Sequence, residues 1–150
     1  MADDATLASR IDNAALIGVN EMNPYLQGLY APVSAETTAL KLDVIGEIPR
    51  DLHGAFVRNG PNPAHAPEGL HHWFDGDGMV HAVYFENGKA EYRNRWVRTA
   101  DYRAEAAGQT ITAGGVMLPS ARARPGSDRG DLVYKDTANT DLVFHNGSLM

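Results

Sequence analysis

The alternation of apolar and polar positions is clearest over Met79-Val80-His81-Ala82-Val83-Tyr84-Phe85, which reads as a strand, and it resumes from Ala90 to Thr99. Glu86-Asn87-Gly88-Lys89 lies between the two runs and carries the Asn-Gly pair that suits a type I′ turn, so a hairpin is expected. Leu40-Lys41-Leu42-Asp43-Val44-Ile45-Gly46 alternates apolar with charged residues and predicts a half-buried strand, and Ala55 to Arg58 predicts another. Asp131-Leu132-Val133-Tyr134-Lys135 and Leu142-Val143-Phe144 return to strand character. His145-Asn146-Gly147-Ser148 then repeats the hairpin signal, with its last strand beginning at Leu149. One helical excursion is expected from Ala100 to Gly108, with Thr99 as cap and Gly108 as stop.

Turn residues divide these runs. Residues 1–19 form an N-terminal segment expected to be a short helix or a frayed end, and Asn23-Pro24, Gly28 and Pro32 make the following stretch an extended arm. Tyr25, Leu26, Leu29 and Tyr30 of that arm need a surface to cover. Asn59-Gly60-Pro61 is expected to bend sharply, and Asp75-Gly76-Asp77-Gly78 is a second bend, so two turns bracket the aromatic segment His72-Trp73-Phe74. Gly114-Gly115, Pro119 and Pro125-Gly126 mark a long irregular loop. A final strand that begins at Leu149 and stops at Met150 would leave its partner with an unpaired edge, so the chain is expected to be a truncated piece of a longer protein.

Composition narrows the partners. With 13 basic against 19 acidic residues, a net charge of −6 and no Lys/Arg cluster, nucleic acid is not an expected partner. The absence of cysteine removes disulfides, thiolate metal sites and a cysteine nucleophile, and fits a reducing compartment. Met1-Ala2-Asp3-Asp4 is acidic where a secretory signal is basic, and the apolar run from Ala14 to Val19 is too short to span a bilayer, so a soluble cytoplasmic protein is expected.

Six histidines (His53, His65, His71, His72, His81, His145), with Asp75 and Asp77, invite a metal site, but adjacent His71 and His72 diverge on an extended backbone and no converging set is evident. Asp75-Gly76-Asp77-Gly78 lacks the further oxygen ligands and closing Glu of a calcium loop; its carboxylates are expected to accept backbone N–H groups in a tight turn. Arg58, Arg93, Arg95 and Arg98 are expected on paired or solvated strand faces.

Three stretches resemble the amino-terminal part of the carotenoid cleavage oxygenases: Ile48-Pro49-Arg50-Asp51-Leu52-His53-Gly54, Arg58-Asn59-Gly60-Pro61-Asn62-Pro63, and His72-Trp73-Phe74-Asp75-Gly76-Asp77-Gly78-Met79. Asn23-Pro24-Tyr25-Leu26, Ala31-Pro32-Val33, Arg93-Asn94-Arg95-Trp96-Val97-Arg98-Thr99 and Thr137-Ala138-Asn139-Thr140 extend the resemblance in order from Asn23 to Met150. It implies an all-β fold, the N-terminal portion of a seven-bladed β-propeller, with residues 20–150 forming the arm and the first blade or two. It also implies a non-haem Fe(II) cofactor on four histidines, none matching a position here and all expected beyond residue 150. The implied reaction splits an alkene with dioxygen into two carbonyls.

Within the family, Tyr102 and Lys135 match positions where the stilbene-cleaving branch grips the substrate's phenolic hydroxyl, whereas carotenoid-cleaving members usually lack that Lys. A lysine buried among aromatics is expected to have a lowered pKa and to hydrogen-bond or deprotonate a phenol, with the Tyr hydroxyl as second contact. Phe56 adds a candidate aromatic wall to this substrate site. The resemblance thus implies a 4-hydroxystilbene or similar phenylpropanoid substrate. The alternatives are a carotenoid or apocarotenoid substrate, which alone would call for membrane contact, and a non-catalytic propeller fragment.

Overall fold

The computed structural model describes residues 23–67, 71–109, 115–116 and 134–150. The expected N-terminal helix, the irregular loop at Pro119 and Pro125-Gly126, and most of the strand expected from Asp131 lie outside these residues. Four antiparallel strands form one sheet in the order β1-β4-β3-β2: β1 (Thr38–Ala39), β2 (Gly54–Pro61), β3 (Gly78–Glu86) and β4 (Lys89–Trp96). Among the described residues one α-helix, α1 (Ala100–Ala106), follows β4, and a small hairpin pairs β5 (Phe144–His145) with β6 (Ser148–Leu149).

Both Asn-Gly turns form as their chemistry requires. Asn87 and Gly88 have φ of 51° and 74°, and Asn146 and Gly147 have 48° and 80°; two consecutive positive values give the twist that a two-residue hairpin needs. The β3–β4 register follows, with Glu86 opposite Lys89 and Met79 opposite Trp96. At α1 the Thr99 Oγ1 accepts the Tyr102 N–H at 3.0 Å, and Gly108 leaves the helix with φ of 78°.

Two expectations are overturned. The run from Leu40 to Gly46 is not a strand: pairing to β4 occurs at Thr38 and Ala39, after which only the Leu42 N–H reaches the Ala90 carbonyl. Its alternating residues meet no facing layer among the described residues, and Ile45 is fully exposed. Asn59-Gly60-Pro61 does not bend sharply either, but completes β2. A residue before proline is pushed toward extended backbone, which a strand accommodates, and Pro is tolerated at a strand's edge.

The apolar core is small: Met79, Ala82 and Ala90 are the buried apolar residues among those described, whereas Asn23, Asn62, His71, Asp77, Asn94 and Asp101 are buried polar ones. Side-chain amides therefore do much of the joining. Asn62 donates to the Val33 carbonyl and accepts the Val33 N–H, and Asn94 accepts the Thr37 N–H and donates to the Ala35 carbonyl, so the arm is sewn to the ends of β2 and β4. The arm's Tyr25 and Tyr30 pack against His72 and Trp73, whereas Leu29 is fully exposed.

Burial lowers the pKa of His71, and burial together with Arg58 lowers that of His81, whose Nδ1 lies 2.7 Å from the Tyr92 hydroxyl. Both rings are harder to protonate in the folded chain than in the unfolded one, where the ordinary value is 6.5, so the unfolded state binds more protons in acid. Their contribution is complete above that value and is lost as pH falls below it. Denaturant midpoints measured between about pH 7.5 and 5.5 are expected to decline with acidification.

Candidate functional site

The two motifs singled out in the sequence, one around Asp75 to Gly78 and one around Thr137 to Thr140, mesh at the start of β3. The Gly78 N–H donates to the Thr137 carbonyl at 2.7 Å, and Asn139 Nδ2 donates to the carbonyls of Phe74 and Gly76 at 2.8 and 2.7 Å. Asn59 Nδ2 adds a bond to the Ala138 carbonyl. Neither Gly76 nor Gly78 has a positive φ; glycine is needed there for close approach, since a Cβ on Gly78 would fall 2.2 Å from the Ala138 oxygen.

The two aspartates of this bend divide their work. Asp75 accepts the N–H groups of His72 and Val116, organising the single turn Trp73–Asp75, as a turn carboxylate is expected to do. Asp77 accepts the Ala64 N–H with Oδ2, but its Oδ1 lies 2.7 Å from Lys135 Nζ. Lys135 also donates to Glu105 Oε2 at 2.8 Å. Asp77 is 2% exposed and the Lys135 side chain 17%, so the trio is largely withdrawn from water. The adjoining Asp136 N–H is taken by the Asp101 carboxylate, fixing the lysine's backbone to α1.

Burial by itself would lower the Lys135 pKa, but the carboxylates of Asp77 and Glu105 outweigh it and hold the pKa above the ordinary lysine value. The expectation of a lowered pKa is thus reversed: Lys135 is an ammonium donor and not a base. Tyr102 sits one helical turn before Glu105 on α1. Its ring lies against Trp96 with centroids 6.2 Å apart, and the Arg98 guanidinium caps it at 4.6 Å. Its hydroxyl has no hydrogen-bond partner among the described residues.

Lys135 and Tyr102 therefore border the same helix. Phe56 does not join them: it is paired with Val83, six residues along β3 from Asp77, which is about 20 Å at the rise of a strand. It is 63% exposed. A separate open groove of about 730 Å³ lies between the arm and β2, lined by Tyr30, Trp73, Phe74, Arg58 and His81 among others, but by none of the three candidates. Asp77 and Glu105 were not legible as partners of Lys135, because nothing in the sequence signals an ion pair between distant segments. Among the described residues no group of three His, Asp or Glu side chains is arranged to hold a metal ion, and no helix is long and apolar enough to cross a membrane.

The four-stranded sheet and the meshed motifs at its edge define a mostly β chain. Residues 30–150 match the retinal pigment epithelial membrane protein family, and the chain belongs to this family of carotenoid cleavage oxygenases. It is 46% identical over 127 residues to a carotenoid cleavage oxygenase of Mycobacterium tuberculosis, covering 83% of this chain and 23% of that protein. It is 34% identical over 132 residues to the isoeugenol monooxygenase of Pseudomonas nitroreducens, covering 88% and 27%. Among solved structures it superposes on the lignostilbene dioxygenase of Pseudomonas brassicacearum with a TM-score of 0.65 and 30% identity, covering 85% of this chain and 26% of that one. A cobalt-substituted apocarotenoid oxygenase of Synechocystis gives 0.63 and 33%, covering 79% and 25%. The chain thus spans about a quarter of the length of the relatives it matches.

Proposed function

We propose that this chain supplies the arm and first part of a seven-bladed β-propeller whose full-length form is a cytoplasmic iron(II)-dependent dioxygenase. Its substrate is a 4-hydroxystilbene or similar phenylpropanoid, cleaved at the alkene by dioxygen into two aldehydes. The observation that carries the substrate half of this reading is the Lys135 ammonium, largely buried and set beside the helix that bears Tyr102. A phenolic oxygen gives both side chains a partner, whereas a hydrocarbon polyene gives neither. An ammonium beside that oxygen lowers the phenol's pKa, so that its proton can pass to solvent water and leave a phenolate whose electron density extends through the ring to the alkene. The named substrates of two relatives, isoeugenol and lignostilbene, are phenols conjugated to an alkene and support this choice.

The cobalt-substituted neighbour supports a metal cofactor in the family. Among the described residues no side-chain group fits such a site, and we propose on the family resemblance that its four histidine ligands lie beyond residue 150. A carotenoid substrate is the second reading, favoured by the 46% identity to the Mycobacterium tuberculosis enzyme. The test supplies the iron-loaded full-length protein with 4-hydroxystilbene, its 4-methoxy ether and a carotenoid. The expected result is two aldehydes from the free phenol, with kcat/KM at least about tenfold above the ether, the scale of one charge-assisted contact. Faster turnover of the carotenoid, with no preference between phenol and ether, would replace this reading with the second.

A further inference from the structure

The proposed phenol site leaves two carboxylates without a task. Asp77 reaches Lys135 from the lead-in to β3 and Glu105 reaches it from α1, at 2.7 and 2.8 Å. A lysine ammonium has three N–H groups; Glu105 accepts a hydrogen bond from one, and Asp77 Oδ1 faces the ammonium from the other side as its ion-pair partner. We propose that Asp77 and Glu105 are positioning residues, which hold the Lys135 ammonium from two sides and leave its third N–H for the substrate's phenolic oxygen. This rests on the phenol reading of Lys135 and adds what makes that contact directional.

A solitary lysine on a four-carbon stem samples many rotamers, and its ammonium is poorly placed to distinguish one oxygen from another. Anchored at two corners, the same group offers one N–H along one direction, so the ordering cost is met before the ligand arrives. The charged groups around it are Asp77 and Glu105, then His71 ahead of the Trp73 turn, and Asp136 and Asp101 on the backbone side. The acidic groups keep Lys135 charged through the range in which the phenol itself remains neutral, so the site meets the substrate as cation to neutral phenol.

The test uses the full-length protein with ¹³Cε-labelled lysine. The Lys135 resonance, assigned by its loss in Lys135→Met, is titrated in wild type and Glu105→Gln. The dissociation constants of 4-hydroxystilbene and 4-methoxystilbene are measured in parallel. Glu105→Gln is expected to move the Lys135 titration to lower pH, because burial then acts against one carboxylate instead of two. It is also expected to reduce the preference for the free phenol by about tenfold, close to the loss of one charge-assisted hydrogen bond. Asp77→Asn, which keeps an oxygen for the Ala64 N–H, should shift both readouts the same way. An unchanged titration and an unchanged preference in Glu105→Gln, while Lys135→Met abolishes the preference, would overturn the proposal and leave the phenol reading intact. If Lys135→Met leaves the preference untouched, the phenol reading fails and takes the third-N–H assignment with it.

Discussion

Lys135→Met is expected to lower both kcat and kcat/KM for a free 4-hydroxystilbene by roughly ten- to a hundredfold in the full-length protein, the loss of a charge-assisted hydrogen bond that strengthens as the phenol becomes anionic. A contact equal in ground and transition states would raise KM alone. The 4-methoxy ether, which cannot become anionic, should be a poor substrate of the wild type and nearly indifferent to the change. The structure adds a second consequence. Removing the ammonium strands Asp77, 2% exposed, as a buried carboxylate with no counter-ion, which costs about 3 kcal/mol of stability. The double variant Asp77→Asn with Lys135→Met removes both charges, and is expected to regain most of that stability without regaining turnover. Thermal denaturation beside steady-state kinetics separates the two effects. A Lys135→Met enzyme that turns over the free phenol at the wild-type rate would reduce Lys135 to a structural residue.

Gly78→Ala should be the most damaging single methyl in the described part of the chain. Its Cβ would lie 2.2 Å from the Ala138 oxygen, 2.8 Å from the Ala138 carbonyl carbon and 3.0 Å from the Thr137 oxygen, all backbone atoms that no rotamer change can clear. To admit it, the segment that carries Lys135 must move away from β3, breaking the 2.7 Å bond from Gly78 to Thr137. A loss of about 3 kcal/mol or more in the full-length protein follows from overpacking together with the lost bond. Gly60→Ala is the control: it lies in β2 without a positive φ and a Cβ there meets nothing within 4 Å, so its stability should stay within about 0.5 kcal/mol of wild type. Equal midpoints for both variants in chemical denaturation would show that the mesh contributes little.

Features decided by neighbours in sequence were legible beforehand. The Asn87-Gly88 and Asn146-Gly147 turns and the Thr99 cap each rest on a few consecutive residues whose chemistry admits little else. The run from Leu40 to Gly46 misled because alternation specifies a strand only where another layer covers one face. At the site, the sequence singled out Lys135 and Tyr102 through family resemblance, but it could not supply the charge state of Lys135. That property belongs to Asp77 and Glu105, which reach the lysine through the fold from 58 and 30 positions away. Phe56 failed to join them for the converse reason: an aromatic on a strand says nothing of which end of the sheet it serves.

The meshing of the Gly78 turn with residues 137–139 also bears on the order in which the protein acquires its structure. The β3–β4 hairpin needs only contacts local in sequence and a turn whose residues already favour it, so it can form early. The clasp from Asn139 to Phe74 and Gly76 must close a loop of more than sixty residues before it gains anything. Lys135 meets Asp77 across 58 positions, so the ammonium site is expected to form after the β3–β4 hairpin, which needs only local contacts.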